Sequence, residues 1–308
     1  MIIRGGAIGD FILTLPAIAA IRNRFPDAHL EVLGYPHIVQ LALAGGLVDR
    51  VQSIEARALA GFFAKGGMLD QDLADYFSEF DIILSYLYDP DEIFQANVCR
   101  CAHGQFLAGP HRPGDGERVH ASKVFLKPLE RLSIFDADPV PRLSMPSSGP
   151  TRNFLAIHPG SGSERKNWPE ENWAELSGQL VGGSLVNLLL VGGEAEGGKL
   201  DRLASVLPRG RVQQAQSLPL PELARKLQNE CAAFVGHDSG ISHLAAAVGV
   251  PCLVLWGDAP EPVWRPPQEH VVIVRAAEGL AGLSVNRVLQ ELTSFLTATT
   301  TPAGRNCP

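Results

Sequence analysis

Three glycine-rich stretches, each set directly after a short apolar run, carry the polar residues whose types and spacing suit chemistry. The first, Arg4-Gly5-Gly6-Ala7-Ile8-Gly9-Asp10, ends on a carboxylate. Its glycines let the backbone turn sharply toward a ligand, and Asp10 can accept a proton from an incoming hydroxyl or simply cap the helix that follows. The second runs from His158 to Pro169 as HPGSGSERKNWP. Its backbone can cradle an anion, and Lys166 adds a mobile full charge suited to phosphate. Trp168 reads as a packing anchor. The third, Gly236-His237-Asp238-Ser239-Gly240-Ile241-Ser242-His243, enters a helix of small residues. Ser239 and Gly240 there offer N–H groups to phosphate oxygens. The competing reading makes Asp238 and Ser239 helix caps and His243 a satisfied buried polar group.

Several familiar chemistries do not fit these stretches. Gly5, Gly6 and Gly9 do not form the G-x-G-x-x-G dinucleotide fingerprint, and the Walker Lys-Ser/Thr pair is missing. Ser239, His243 and Asp238 crowd one helix start, a poor arrangement for a nucleophile relay, and the G-x-S-x-G elbow is not formed.

The elements that must position these loops follow an α/β rhythm. Apolar runs at Met1–Ile3, Leu30–Leu33 and Asp81–Leu84 read as buried strands separated by helical patterns. The stretch from Asp138 to Arg152, with Pro139, Pro141, Pro146 and Pro150, suits a connection, and the rhythm restarts after it. Further strands are expected at Phe154–Ile157, Leu185–Val191, Ala232–Val235, Cys252–Leu255 and Val271–Val274, then a helix around Val285 to Phe295 and a frayed tail containing Pro302-Ala303-Gly304. Two parallel-sheet domains are expected, 1–148 and 149–308. In such sheets ligands sit beyond the carboxyl ends of strands, where these three loops lie.

Composition narrows the class further. The chain has 308 residues, 45% hydrophobic content, 26 Lys+Arg against 33 Asp+Glu and a net charge of -7, which argues against broad nucleic-acid binding. Cys99, Cys101, Cys231, Cys252 and Cys307 form neither a disulfide framework nor a structural zinc spacing, so no metal is assigned. Met1-Ile2-Ile3 lacks the charged n-region of a secretory signal, and no apolar run approaches the ~20 residues of a membrane span. A cytoplasmic protein is expected.

In order and spacing the three loops resemble glycosyltransferase family 9, the bacterial lipopolysaccharide heptosyltransferases and their relatives. The resemblance rests on Gly6-Ala7-Ile8-Gly9-Asp10 with Thr14-Leu15-Pro16-Ala17, on His158-Pro159-Gly160-Ser161-Gly162 with Lys166-Asn167-Trp168-Pro169, and on Gly236-His237-Asp238-Ser239-Gly240 with Ser242-His243-Leu244-Ala245-Ala246. It implies a GT-B fold, two Rossmann-like domains with parallel sheets facing across a cleft, the terminal helix crossing back to the first domain. It also implies inverting transfer without a cofactor or a required metal, commonly of heptose from ADP-L-glycero-D-manno-heptose to a lipopolysaccharide core. The N-terminal domain would bind the acceptor and the C-terminal domain the nucleotide sugar. Asp10 would be the general base. Ser161, Gly162, Lys166, Asp238, Ser239, Gly240 and His243 would bind the donor, and Glu196 would match a carboxylate on the donor ribose, with Glu194 as its competitor.

The acceptor is less legible. Arg100, Arg112, Arg118 and Lys123, interleaved with His103, His111 and His120, could meet the acid groups of a lipopolysaccharide core at the inner membrane surface, or form a solvated face that Asp115 and Glu117 interrupt. The resemblance also leaves open another donor or acceptor within the family. A nucleotide-sugar epimerase, an NAD-dependent oxidoreductase and a catalytically silent sugar-nucleotide binding protein are the readings from other classes.

Overall fold

The computed structural model describes every residue except Ser148, Pro150, Ser163, Ser184, Leu185, Ala277 and residues 301–308. The expected start of a strand at Leu185, the edge of the boundary at Ser148 and the tail at Pro302-Ala303-Gly304 lie outside the described residues. The chain divides into two compact units, Met1–Ser144 and Met145–Pro308.

The first unit runs β1 (Ile2–Arg4), α1 (Ile8–Arg24), β2 (Glu31–Gly34), α2 (Pro36–Ala44), β3 (Arg50–Ser53), α3 (Gln71–Ser78), β4 (Ile82–Ser85), α4 (Ile93–Val98), β5 (Gln105–Ala108) and α5 (Ala121–Leu126). Its five strands are ordered β3-β2-β1-β4-β5 and pair in parallel. Side chains alternate across a strand, so Met1, Ile3, Leu33 and Ile83 fall on one face. There they meet Phe62, Phe77, Phe94 and Val98 in a single core. Burial on both faces is why the central strands read as short continuous apolar runs.

The second unit runs β6 (Phe154–His158), α6 (Glu170–Gly183), β7 (Asn187–Gly192), α7 (Gly197–Ser205), β8 (Val212–Gln216), α8 (Leu220–Glu230), β9 (Cys231–His237), α9 (Gly240–Ala247), β10 (Cys252–Leu255), α10 (Glu261–Trp264), β11 (Val271–Val274) and α11 (Val285–Thr300). Its six strands are ordered β11-β10-β9-β6-β7-β8, all parallel. The order reverses between β6 and β9, as it does between β1 and β4 in the first unit. Ligands of open α/β sheets collect at such reversals, because the loops leaving the two central strands part to opposite faces.

The last helix packs into the second unit's own core. Val285, Val288, Leu292 and Phe295 form one stripe at helical spacing and bury against a cluster that includes Trp173, Leu176 and Leu180 of α6. Apolar burial of that stripe is sufficient reason for the placement.

Candidate functional site

Each of the three polar loops leaves the carboxyl end of a strand at a reversal point: 4–10 after β1, 158–169 after β6 and 237–240 after β9.

In the first loop, Gly6 adopts φ +96°, a conformation open to glycine, and a Cβ there would stand 2.9 Å from the Asp10 Oδ2. The carboxylate therefore folds back over a backbone that only glycine leaves room for. Asp10 Oδ2 accepts from the Ala7 N–H at 3.0 Å, and so the residue does cap α1. The cap uses one oxygen. The side chain remains 30% exposed and its Oδ1 lies 3.8 Å from the Arg4 guanidinium. Capping and proton transfer are thus compatible roles for one carboxylate.

Arg4 is the residue that sequence reasoning left without a role. It ends β1 with 2% of its side chain exposed, and its guanidinium donates to the carbonyls of Asp10 (3.4 Å), Tyr86 (3.3 Å) and His111 (2.8 Å). It lies over the Phe125 ring at 4.6 Å. Burial pulls the guanidinium below its ordinary pKa, and the Asp10 carboxylate opposes that shift. Its Nε has no hydrogen-bond partner among the described residues, which costs about 1–3 kcal/mol for a buried donor. The available signal was a cation closing a three-residue buried strand.

The second and third loops meet. Lys166 Nζ lies 3.1 Å from Asp238 Oδ2, with the aspartate side chain 13% exposed and the lysine 47%. Ser161 Oγ donates to Asn167 Oδ1 at 2.7 Å, and Gly162 has φ +75°. Beneath them His237 joins the same two loops. Trp168 N–H donates to His237 Nε2 at 2.7 Å, which leaves Nδ1 to donate to the Gly160 carbonyl at 3.2 Å and fixes the neutral tautomer. Burial, above all, pushes the His237 pKa down to about 4. Trp168 is the packing anchor expected: 2% exposed, it stacks edge-on against Trp173 and donates from Nε1 to the Leu283 carbonyl at 2.7 Å. His158, also lowered by burial, holds the Val191 carbonyl at 2.9 Å. Neither His237 nor His158 had been singled out, because their work is to hold backbone.

Ser239 is the N-cap of α9, its Oγ accepting from Ser242 N–H at 3.4 Å, and Gly240 is the first helical residue. His243 is buried one turn further on, 5% exposed. Glu196 and Glu194 separate clearly. Glu194 is exposed, whereas Glu196 is partly buried, accepts from Gly193 N–H at 2.9 Å, and lies so close to Gly160 that a Cβ there would stand 2.5 Å from its Oε1.

The four basic residues assigned to an acceptor differ in their surroundings. Arg100 bonds the Gly67 carbonyl at 2.8 Å and Asn97 Oδ1 at 3.0 Å, bracing the loop between β3 and α3. Arg112 pairs with Asp115 at 3.5 Å, both exposed, and Arg118 and Lys123 are exposed. Among the described residues no group of three or more His, Cys, Asp or Glu could hold a metal ion, and no helix is long and apolar enough to cross a membrane.

Comparison with known proteins agrees with this architecture. Residues 135–290 match glycosyltransferase family 9 (heptosyltransferase). Lipopolysaccharide heptosyltransferase 3 of Escherichia coli is 22% identical over 303 residues, covering 86% of this chain and 85% of that protein. The structure of E. coli ADP-heptose LPS heptosyltransferase II superposes with a TM-score of 0.79 at 17% identity, over 97% of this chain and 99% of that one. E. coli heptosyltransferase WaaC, solved with ADP and with ADP-2-deoxy-2-fluoro heptose, gives 0.75 at 21% identity for the ADP complex, over 96% and 98%. These likenesses establish two parallel-sheet Rossmann-like domains of the GT-B fold. With half of its length matching the family and the three loops in order, the chain belongs to glycosyltransferase family 9, the heptosyltransferases.

Proposed function

We propose that this glycosyltransferase transfers heptose from ADP-L-glycero-D-manno-heptose to a lipopolysaccharide core acceptor, with inversion at the anomeric carbon and without a resident metal or cofactor. The observation that carries the donor half is the convergence of Lys166, Asp238 and the start of α9 at the reversal between β6 and β9. An ammonium and the free N–H groups of a helix N-terminus are complementary to a diphosphate, and they stabilise the negative charge that builds on it as the sugar leaves. Ser161, Gly162 and His243 complete the donor site in this reading, and Glu196 takes the vicinal ribose hydroxyls, for which a carboxylate has acceptor sites. WaaC, of the same fold, was solved with ADP and with an ADP-heptose analogue, which supports the choice of donor.

For the acceptor half, Asp10 takes the proton of the attacking hydroxyl. Its Oδ2 is spent on the Ala7 cap, and Oδ1 is the oxygen left beside Arg4 on a side chain open to solvent. A well-placed general base contributes about 10²–10⁴ in rate, or roughly 3–5 kcal/mol of barrier. Arg100, Arg112, Arg118 and Lys123 are the basic groups assigned to the acid groups of the core, and peripheral contact with the inner membrane surface follows from a lipid-borne acceptor. Work in the cytoplasm is part of the same reading. Titration calorimetry with ADP-heptose, ADP and UDP, followed by transfer to a heptose-deficient core, tests it. Preferential binding of ADP-heptose with transfer is the expected result; absence of nucleotide binding overturns it.

A further inference from the structure

We propose that Arg4 is the positioning residue of the N-terminal site, fixing the Asp10 carboxylate and tying to it the loop that follows β5. The proposal rests on the reading of Asp10 as the base. One buried guanidinium reaches three loops at the carboxyl edge of the first sheet. It contacts Asp10 at both its carboxylate (3.8 Å) and its carbonyl (3.4 Å), the β4 exit at Tyr86 (3.3 Å), and the β5 exit at His111 (2.8 Å).

Three features separate this from an ordinary core arginine. The guanidinium carbon lies over the Phe125 ring, 4.6 Å from its centroid, and 5.8 Å from that of Tyr86, so packing restrains it in addition to the ion pair. Tyr86 is itself fixed, its hydroxyl donating to the Phe125 carbonyl at 2.6 Å. The Asp10 carbonyl also accepts from Thr14 Oγ1 at 2.8 Å, so the residue is gripped through its backbone as well as through its carboxylate. A base must be held to within a fraction of an ångström of its productive place, and buried supporting groups provide that restraint. The His111 bond adds a consequence for the acceptor. Arg112 follows directly on the anchored residue, so the same guanidinium that orients the base also sets the start of the exposed basic loop.

The test compares Arg4→Met, Arg4→Lys, Asp10→Asn and the Arg4→Met/Asp10→Asn double variant of the full chain, by steady-state transfer and by backbone hydrogen exchange. Arg4→Met is expected to lower kcat by about 10²-fold with the donor KM unchanged within about twofold, and to speed exchange in residues 109–120. The double variant should be no slower than Asp10→Asn alone, the signature of a residue that acts through another. Arg4→Lys keeps the charge without the three-way fork and should recover about tenfold of the loss. It also serves if Arg4→Met does not fold, since a wild-type kcat and wild-type exchange in Arg4→Lys would overturn the proposal. Additive losses in the double variant would overturn it as well. If instead Asp10→Asn keeps wild-type turnover, the reading of Asp10 as the base fails and takes the proposal with it, a result distinct from either of the others.

Discussion

Lys166 Nζ and Asp238 Oδ2 stand 3.1 Å apart, joining the loop after β6 to the loop after β9 at the point where the second sheet reverses its strand order. In the proposed donor site, a pair so placed would hold the two loops in register while presenting a cation to the diphosphate. The lysine is 47% exposed, so the pair contributes at most about 1 kcal/mol to stability. Lys166→Met is expected to weaken ADP binding by about tenfold or more, the loss of one charge-assisted hydrogen bond, while shifting the unfolding free energy by less than about 1 kcal/mol. Calorimetry and denaturant melts on one preparation separate the two effects, and an unchanged ADP affinity would remove Lys166 from the donor site.

Glu196 and Gly160 give a steric test of the ribose assignment. A methyl group at 160 would meet the Glu196 side chain at 2.5 Å and 2.6 Å, so Gly160→Ala must turn the carboxylate away. ADP affinity is expected to fall about tenfold, and overpacking to cost about 1–3 kcal/mol of stability. Glu196→Gln should reproduce the binding loss without the destabilisation. If both variants bind ADP as the wild type does, the carboxylate serves only its cap on Gly193.

The pH dependence of stability should report His237. Its imidazole is held neutral, lowered from 6.5 to about 4 chiefly by burial. In the unfolded chain the ring takes up its proton at the ordinary value, so between these limits the unfolded state binds more protons and stability is lost as pH falls. The contribution is fully present above pH 6.5, and about 3 kcal/mol of it is gone by pH 4. Urea titrations of wild type and His237→Gln across that window should show a shallower slope in the variant; equal slopes would mean that the ring titrates alike in both states.

Trp168 ties the loop after β6 to the segment before α11 through its bond to the Leu283 carbonyl. Trp168→Phe leaves that buried acceptor unpaired and is expected to cost about 1–3 kcal/mol, read as a lowered urea midpoint with unchanged slope. A loss below about half a kcal/mol would show that water replaces the indole there.

How much of this was legible in the sequence follows from burial. The central strands β1, β2, β4, β6, β7, β9 and β10 are covered on both faces and announce themselves as apolar runs. β3 (RVQS), β5 (QFLA) and β8 (VQQAQ) are edge strands with polar or partly exposed positions, and no run marks them. The three loops could be read because glycines, acids and a lysine in that order restrict what a backbone can do. Arg4, His158 and His237 could not. Their partners are backbone atoms up to 107 residues away, and which carbonyl a side chain reaches depends on sheet order rather than on local spacing. The Arg100 bond to the Gly67 carbonyl was out of reach for the same reason, since its partner lies 33 residues away.

The measurement that bears most directly on the central claim is transfer from ADP-heptose to a heptose-deficient lipopolysaccharide core by wild type and by Asp10→Asn, with donor binding followed in parallel. The account predicts that the substitution lowers kcat by about 10²–10⁴-fold while ADP-heptose affinity stays within about twofold. Transfer by Asp10→Asn at the wild-type rate would contradict it.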